Sequence, residues 1–211
     1  KNAIIFCPAP RAKKTSTETV NLIRQAIEAC GAPADLVQII EEPTIDLSAD
    51  LMAACDLIVA TGSSGLTKAA YESGTPAYGV GPGNPPAILD DDFDLNEAAK
   101  LSVVAIASDN GILCDGDNLL LYPAKKEADF FAELKKEGVA VFEDAADIAK
   151  FREVLFIDGK ANPGLVGKDT DVIADAAGIN LPKGTKVIGL KLDQVGKADV
   201  LNKEIMGPVV V

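Results

Sequence analysis

The sequence predicts an α/β protein built on parallel β-sheet. Short apolar runs of strand length alternate with amphipathic helix patterns along most of the chain. Glycine, proline and small polar residues stand between them. The stretch Gly81-Pro82-Gly83-Asn84-Pro85-Pro86 interrupts this alternation and divides the chain into an expected unit at 1–83 and another at 84–211.

Asn2 to Cys7 reads as a buried strand closed by Pro8 and Pro10. Thr15 or Ser16 is the expected cap of the next helix, whose apolar face is Val20, Leu22, Ile23, Ala26 and Ile27, with Gly31 as its stop. A strand at 35–40 follows, then a short helix opened by Asp46 or Ser48. The strand Asp56 to Ala60 leads through Thr61-Gly62-Ser63-Ser64-Gly65 into a helix containing Ala69, Ala70 and Tyr71, and then a strand at 76–80. Past the break come a short strand at 87–89, a solvated acidic turn at Asp90-Asp91-Asp92, and a helix over 95–107. The remaining expected elements are strands at 118–122, 139–142 and 186–192 and helices near 125–137, 144–155 and 169–177. The final Val209-Val210-Val211 is again strand-like. A chain that enters and leaves in strand patterns reads as a segment of a longer protein.

Composition narrows the function classes. Of 211 residues, 48% are apolar and 25% charged, the balance of a soluble globular protein. The net charge of −12 argues against nucleic-acid binding, which needs clustered Lys and Arg. No apolar run is long enough to span a membrane, and a cytoplasmic protein is expected. There is no histidine, so Ser-His and Cys-His dyads are excluded within the chain and no metal site is expected. Cys7, Cys30, Cys55 and Cys114 are widely spaced and read as reduced thiols.

Two stretches have chemical potential. Thr61 to Gly65 is a strand–turn–helix junction at which glycines let backbone approach a ligand and the helix N-terminus favours a phosphate; an ordinary βα turn has the same look. Ser108-Asp109-Asn110-Gly111-Ile112-Leu113-Cys114 is a polar turn ending on a cysteine. Such a turn can present a thiol as nucleophile and its own N–H as an oxyanion donor, although free cysteines also serve as small core residues.

Five stretches in order carry a resemblance: Pro8 to Lys14, Ala60-Thr61-Gly62 with Lys68-Ala69-Ala70-Tyr71, Gly79-Val80-Gly81-Pro82-Gly83-Asn84, Asp109 to Cys114, and Glu204-Ile205-Met206-Gly207-Pro208. Together they resemble the aldehyde dehydrogenase superfamily, most of all its CoA-acylating branch and the aldehyde half of bifunctional aldehyde-alcohol dehydrogenases. The resemblance implies a Rossmann-type parallel-sheet cofactor domain and an α/β catalytic domain, both incomplete here. It implies NAD or NADP as cofactor, coenzyme A as co-substrate, a small aldehyde as substrate and a homo-oligomer as the whole protein. The implied setting is the cytoplasm, with a bacterial microcompartment as a variant of it.

By the same resemblance Cys114 is the nucleophile. Gly62, Ser63 and Gly65 lie toward the pyrophosphate or nicotinamide, Pro8, Pro10 and Arg11 near the adenosine, and Glu204 on the nicotinamide ribose, with Gly81 also among the cofactor-binding residues. Without the motif, Glu204 would read as a surface carboxylate before a turn. Hydrolytic members carry a Glu before a Gly-Gly pair, and Val80 stands in its place here. An apolar side chain cannot deprotonate water, which points to CoA as the acyl acceptor. Asp115 and Asp117 depart from the family pattern and are expected to oppose thiolate formation. A hydrolytic enzyme and a catalytically inactive relative are the alternative readings.

Overall fold

A computed structural model describes residues 2–194, 196 and 198–211. The chain forms two compact units, Lys1–Gly81 and Pro82–Val211.

The first unit contains two parallel strand pairs. β1 (Ile4–Phe6) pairs with β2 (Val37–Ile39) across the helix α1 (Lys13–Ala29). β3 (Ile58–Thr61) pairs with β4 (Ala77–Val80) across α3 (Ser64–Glu72), and α2 (Ile45–Ala54) lies between the pairs in sequence. These are right-sized crossovers for parallel strands. The helix α1 begins earlier than the expected Thr15 or Ser16 cap. A 3-10 turn at Pro10–Ala12 winds the chain first, helped by the fixed φ of Pro10, and no side chain caps α1. Gly31 has φ 80° just beyond its end. The cap of α2 is Thr44, whose hydroxyl accepts from the Leu47 N–H at 3.1 Å. The hydroxyl of Ser48, one of the expected openers, instead donates back to the Thr44 carbonyl at 2.7 Å.

β3 buries Ile58 and Ala60 against Ala70 of α3, with Met52, Cys55, Leu66 and Ala77 packed around them. β1 is less buried than its apolar run suggests. Ile4, Ile5 and Phe6 are all exposed, since β2 is the neighbour it pairs with among the described residues.

The second unit has a better-covered sheet. β10 (Val187–Leu190) is flanked by β7 (Val139–Phe142) and β11 (Val209–Val210), all parallel. β5 (Pro86–Ile88) and β6 (Leu119–Leu121) form a further parallel pair. Two backbone bonds, Leu120 N–H to the Val211 carbonyl at 2.8 Å and Val211 N–H to the Asn118 carbonyl at 3.0 Å, join β6 to β11. The order is therefore β5-β6-β11-β10-β7. α4 (Leu95–Ala107) and α5 (Glu127–Glu137) cover one face, and α6 (Ala145–Leu155) and α7 (Thr170–Ala177) the other. Successive strand residues feed opposite faces: Val187 and Val210 pack with α4 and α5, and Ile188 and Val209 with α6 and α7. This double cover is what a parallel sheet requires.

An antiparallel hairpin of β8 (Phe156–Ile157) and β9 (Lys160–Ala161) was not expected. Asp158 and Gly159, with φ of 50° and 71°, form its two-residue turn. Among the described residues no helix is long and apolar enough to cross a membrane.

Candidate active site

The cysteine turn is built by the sudden end of α4. Ser108 closes that helix with its hydroxyl donating to the Val104 carbonyl at 2.6 Å. The next three residues adopt left-handed conformations: Asp109 has φ 48°, Asn110 φ 53° and Gly111 φ 66°. Only glycine adopts this region freely, and Asn and Asp are the side-chain-bearing residues that tolerate it best. The Asp-Asn-Gly sequence is thus suited to a reversal that a generic sequence would resist. It turns the chain out of the helix and leaves Cys114 exposed. Among the described residues the Cys114 N–H donates to no backbone carbonyl, so it remains usable as a donor.

Three other segments hold the turn. A Cβ added to Gly111 would run into the carbonyl of Gly207 and lie 2.8 Å from the Pro208 nitrogen, so the two backbones touch there. The Asn110 amide donates to the Gly167 carbonyl at 3.2 Å and to Asp169 Oδ1 at 2.8 Å. A Cβ on Gly83 would approach the Cys114 carbonyl oxygen to 2.9 Å, so this glycine lets the turn after the first unit pass close to the thiol residue. Glu204 lies three residues before Gly207 and is half-buried. The structure therefore brings the segment of Glu204 and the turn of Cys114 into direct contact.

The Glu204 segment is fastened from its other side. Arg152 of α6 makes two bonds to Asp199, Nε to Oδ1 at 3.0 Å and Nη2 to Oδ2 at 2.7 Å. Asp199 Oδ1 also accepts from the Leu201 N–H at 3.0 Å. The Arg152 guanidinium, with that N–H, holds the Asp199 carboxyl below its ordinary range. Asn84 Nδ2 donates to the Asn202 carbonyl at 2.8 Å, adding a tie from the Gly83-Asn84 turn.

Of the two carboxylates after the cysteine, Asp115 is exposed and Asp117 half-buried. Burial, and then the Asp115 charge, push the Asp117 carboxyl up. A cavity of about 390 Å³ lies at the C-terminal ends of β6, β10 and β11, lined in part by Tyr122, Phe131, Lys191 and Asn202. At its edge Glu127 bonds Lys191 at 2.7 Å and Tyr122 at 3.3 Å. Burial and the Glu127 carboxylate push the Tyr122 phenol up to about 12. Neither Cys114 nor Glu204 lines this cavity.

The remaining expected site residues lie in the first unit, after the C-terminal ends of parallel strands, where open α/β sheets bind ligands. Pro8, Pro10 and Arg11 follow β1; Pro10 and Arg11 form the 3-10 turn and are exposed. Lys13 nearby is engaged with Glu42 at 2.6 Å. Gly62, Ser63 and Gly65 follow β3 and are exposed, and Gly81 follows β4. The Gly62 N–H donates to the Val80 carbonyl at 3.0 Å, which holds these two strand ends together. Ser63 is the cap of α3, its hydroxyl accepting from the Leu66 N–H at 3.3 Å.

The glycines test whether a cofactor fits. A Cβ on Gly65 or Gly81 would come no closer than 3.8 Å and 3.7 Å to the rest of the chain. Packing within the chain does not require glycine there, whereas a ligand pressed against the backbone would. The exposed N-terminus of α3, a helix of nine residues, adds donors and a favourable field for an anion. These residues fit the pyrophosphate of a dinucleotide.

The pattern of the aldehyde dehydrogenase family matches residues 1–145, and the chain belongs to that family. It is 44% identical over 211 residues to the succinate-semialdehyde dehydrogenase (acetylating) of Clostridium kluyveri, covering all of this chain and 47% of that protein. The acetylating aldehyde dehydrogenase of Geobacillus thermoglucosidasius superposes with a TM-score of 0.94 at 35% identity, over 99% of this chain and 46% of the other. The propionaldehyde dehydrogenase of Rhodopseudomonas palustris, solved with bound CoA and an acylated cysteine, gives a TM-score of 0.90 at 29% identity, over 99% and 48% of the two chains. The chain thus spans about half the length of the relatives it matches.

Proposed function

We propose that the whole protein is a CoA-acylating aldehyde dehydrogenase, with Cys114 as its nucleophile and the first unit as the cofactor-binding part. The observation that carries this reading is the exposed Cys114 on a left-handed turn packed against the Glu204 segment. The likeness to acetylating relatives over nearly the whole chain supports the acyl acceptor.

The Cys114 thiolate adds to the aldehyde carbon and forms a C–S bond. The oxygen becomes an alkoxide, which the Cys114 N–H stabilises at the developing charge. A bound nicotinamide, NAD or NADP, supplies the acceptor for the hydride that leaves this carbon. Cys114 then carries a thioester. Gly62, Ser63, Gly65 and Gly81 bind the dinucleotide, Pro8, Pro10 and Arg11 flank its adenosine, and Glu204 accepts from the ribose hydroxyls. The thiolate of CoA attacks the thioester carbon, the bond to Cys114 breaks, and the enzyme thiolate is restored. Aldehyde, oxidised cofactor and CoA become acyl-CoA, reduced cofactor and one proton. Val80, half exposed at the end of β4, has no group to activate water, so the thioester waits for CoA. We read the whole protein as a cytoplasmic homo-oligomer.

Product analysis by mass spectrometry tests this. With aldehyde and NAD alone, the whole protein gives a burst of about one equivalent of NADH per site and then nearly stops, as a stalled covalent intermediate does. Added CoA restores turnover and yields acyl-CoA. Rapid multiple turnover to the free acid, indifferent to CoA, would overturn the acylating reading.

A further inference from the structure

We propose that Asn110 is a positioning residue: its amide, gripped by the Gly167 carbonyl and by Asp169, holds the turn that aims Cys114 and registers it against the Glu204 segment. The inference rests on Cys114 being the nucleophile.

The turn needs a restraint from outside. Asp109 and Asn110 are consecutive left-handed residues with side chains, and each disfavours that conformation even with the tolerance of Asx residues. Left alone, such a turn would relax and swing the four residues up to Cys114. Asn110 spends both amide hydrogens on the restraint, at 3.2 Å to Gly167 and 2.8 Å to Asp169. One acceptor is a carboxylate, which gives the stronger kind of bond.

The first of those acceptors, Gly167, is itself tied to the Glu204 side. Gly167 is left-handed at φ 66°, and its N–H donates to the Met206 carbonyl at 2.9 Å. Met206 is left-handed too, at φ 57°, immediately before the Gly207 on which Gly111 rests. Asn110, Gly167 and Met206 thus form a short relay of hydrogen bonds linking the cysteine turn with the segment of Glu204. Ile112 packs on the same node, its Cδ1 lying 3.4 Å from where a Cβ of Gly167 would stand. Asn110 touches neither aldehyde nor cofactor in this account. It acts by keeping the turn of the nucleophile and the segment of Glu204 in one frame.

The test uses the whole protein with Asn110→Ala, Asp169→Ala and Asp169→Asn. The last keeps an acceptor oxygen for the Asn110 amide. Readouts are the single-turnover burst rate, the rate of Cys114 alkylation by iodoacetamide, the NAD dissociation constant and the melting temperature. Asn110→Ala is expected to slow the burst by about tenfold or more, because small displacements of reacting groups are costly. Alkylation should slow or change its pH profile while the NAD dissociation constant stays within about twofold. Asp169→Ala should do the same to a lesser degree, and Asp169→Asn should retain most of the rate. Should Asn110→Ala fail to fold, the two Asp169 variants carry the comparison. A wild-type burst rate in Asn110→Ala or Asp169→Ala, with Cys114→Ala inactive, overturns the positioning role and leaves the proposed function standing. A fully active Cys114→Ala overturns the function itself.

Discussion

The backbone of Gly111 rests on the carbonyl of Gly207, with no room for a methyl group between them. Residues distant in sequence meet here because one has no Cβ and is left-handed at φ 66°. The contact joins the turn of the nucleophile to the segment of Glu204.

Gly111→Ala is accordingly expected to be one of the most damaging single changes in the second unit. The new Cβ meets backbone atoms, which cannot rotate away as a side chain would. The left-handed conformation adds about 1 kcal/mol, and displacing the Gly207 strand lead-in adds about 1–3 kcal/mol more. Denaturant unfolding should show a loss of that order, and the burst should be lost with it. An alanine variant of wild-type stability would mean the two backbones are not in contact.

The Arg152–Asp199 pair fixes the far side of the Glu204 segment. Asp199→Ala removes a partly exposed ion pair worth about 1 kcal/mol after screening. It also removes the bond to the Leu201 N–H, about 1 kcal/mol as for other short caps. Because the native Asp199 carboxyl is held below its ordinary range, its contribution is complete above the unfolded value of 3.8 and is lost as pH falls through the folded one. Melting temperatures of wild type and variant should therefore differ at pH 7 and converge in acid. A gap that does not narrow in acid would show that packing, not charge, fixes this corner.

Much of this arrangement was legible in the sequence. The helix expected over 95–107 is found at Leu95–Ala107, because its period is regular and Asp94 caps it through the Glu97 N–H at 2.9 Å. The strand Val139–Phe142 was legible for the same local reason. The cap of α2 was misplaced because several polar residues near its start compete and geometry chooses Thr44, and that of α1 because a 3-10 turn at Pro10–Ala12 starts the winding with no side-chain cap. The hairpin at 156–161 was missed although Asp158-Gly159 is a strong turn signal, since the apolar helix pattern runs straight into it. At the site, Asp109-Asn110-Gly111 pointed to a turn, but nothing local identifies Asp169, which is 59 residues from Asn110, as its partner. Such long-range pairings leave no periodic trace.

Asp117 should respond to pH in the opposite sense from Asp199. Burial and the Asp115 charge raise its carboxyl, so the ionised form is disfavoured in the fold. It opposes stability above its folded value, and this fades as pH falls through that value toward 3.8. Asp117→Asn should raise the melting temperature at pH 7 and make little difference near pH 3, by about 1 kcal/mol at most for a half-exposed group. A neutral-pH loss of stability would show that the carboxylate makes bonds the amide cannot.

The four thiols should separate by reactivity, and the comparison must include Cys30. Cys7 and Cys55 are half-buried, and each has a neighbour: Ser48 Oγ lies 3.1 Å from the Cys7 sulfur, and the Cys55 thiol faces the Met52 carbonyl at 3.6 Å. Access alone will slow both. Cys30 and Cys114 are both exposed, so access cannot distinguish them. The difference lies in the backbone around them. Cys30 ends α1, and its N–H is engaged with the Ile27 carbonyl at 3.1 Å. Cys114 follows a restrained turn with its N–H available to an incoming carbonyl oxygen. Limited iodoacetamide followed by peptide mass spectrometry should label Cys114 before Cys30, and both before Cys7 and Cys55. Preincubation with aldehyde and NAD, without CoA, should protect Cys114 alone, since it is then acylated. Equal labelling of Cys30 and Cys114, with no protection by substrate, would remove Cys114 from the chemistry.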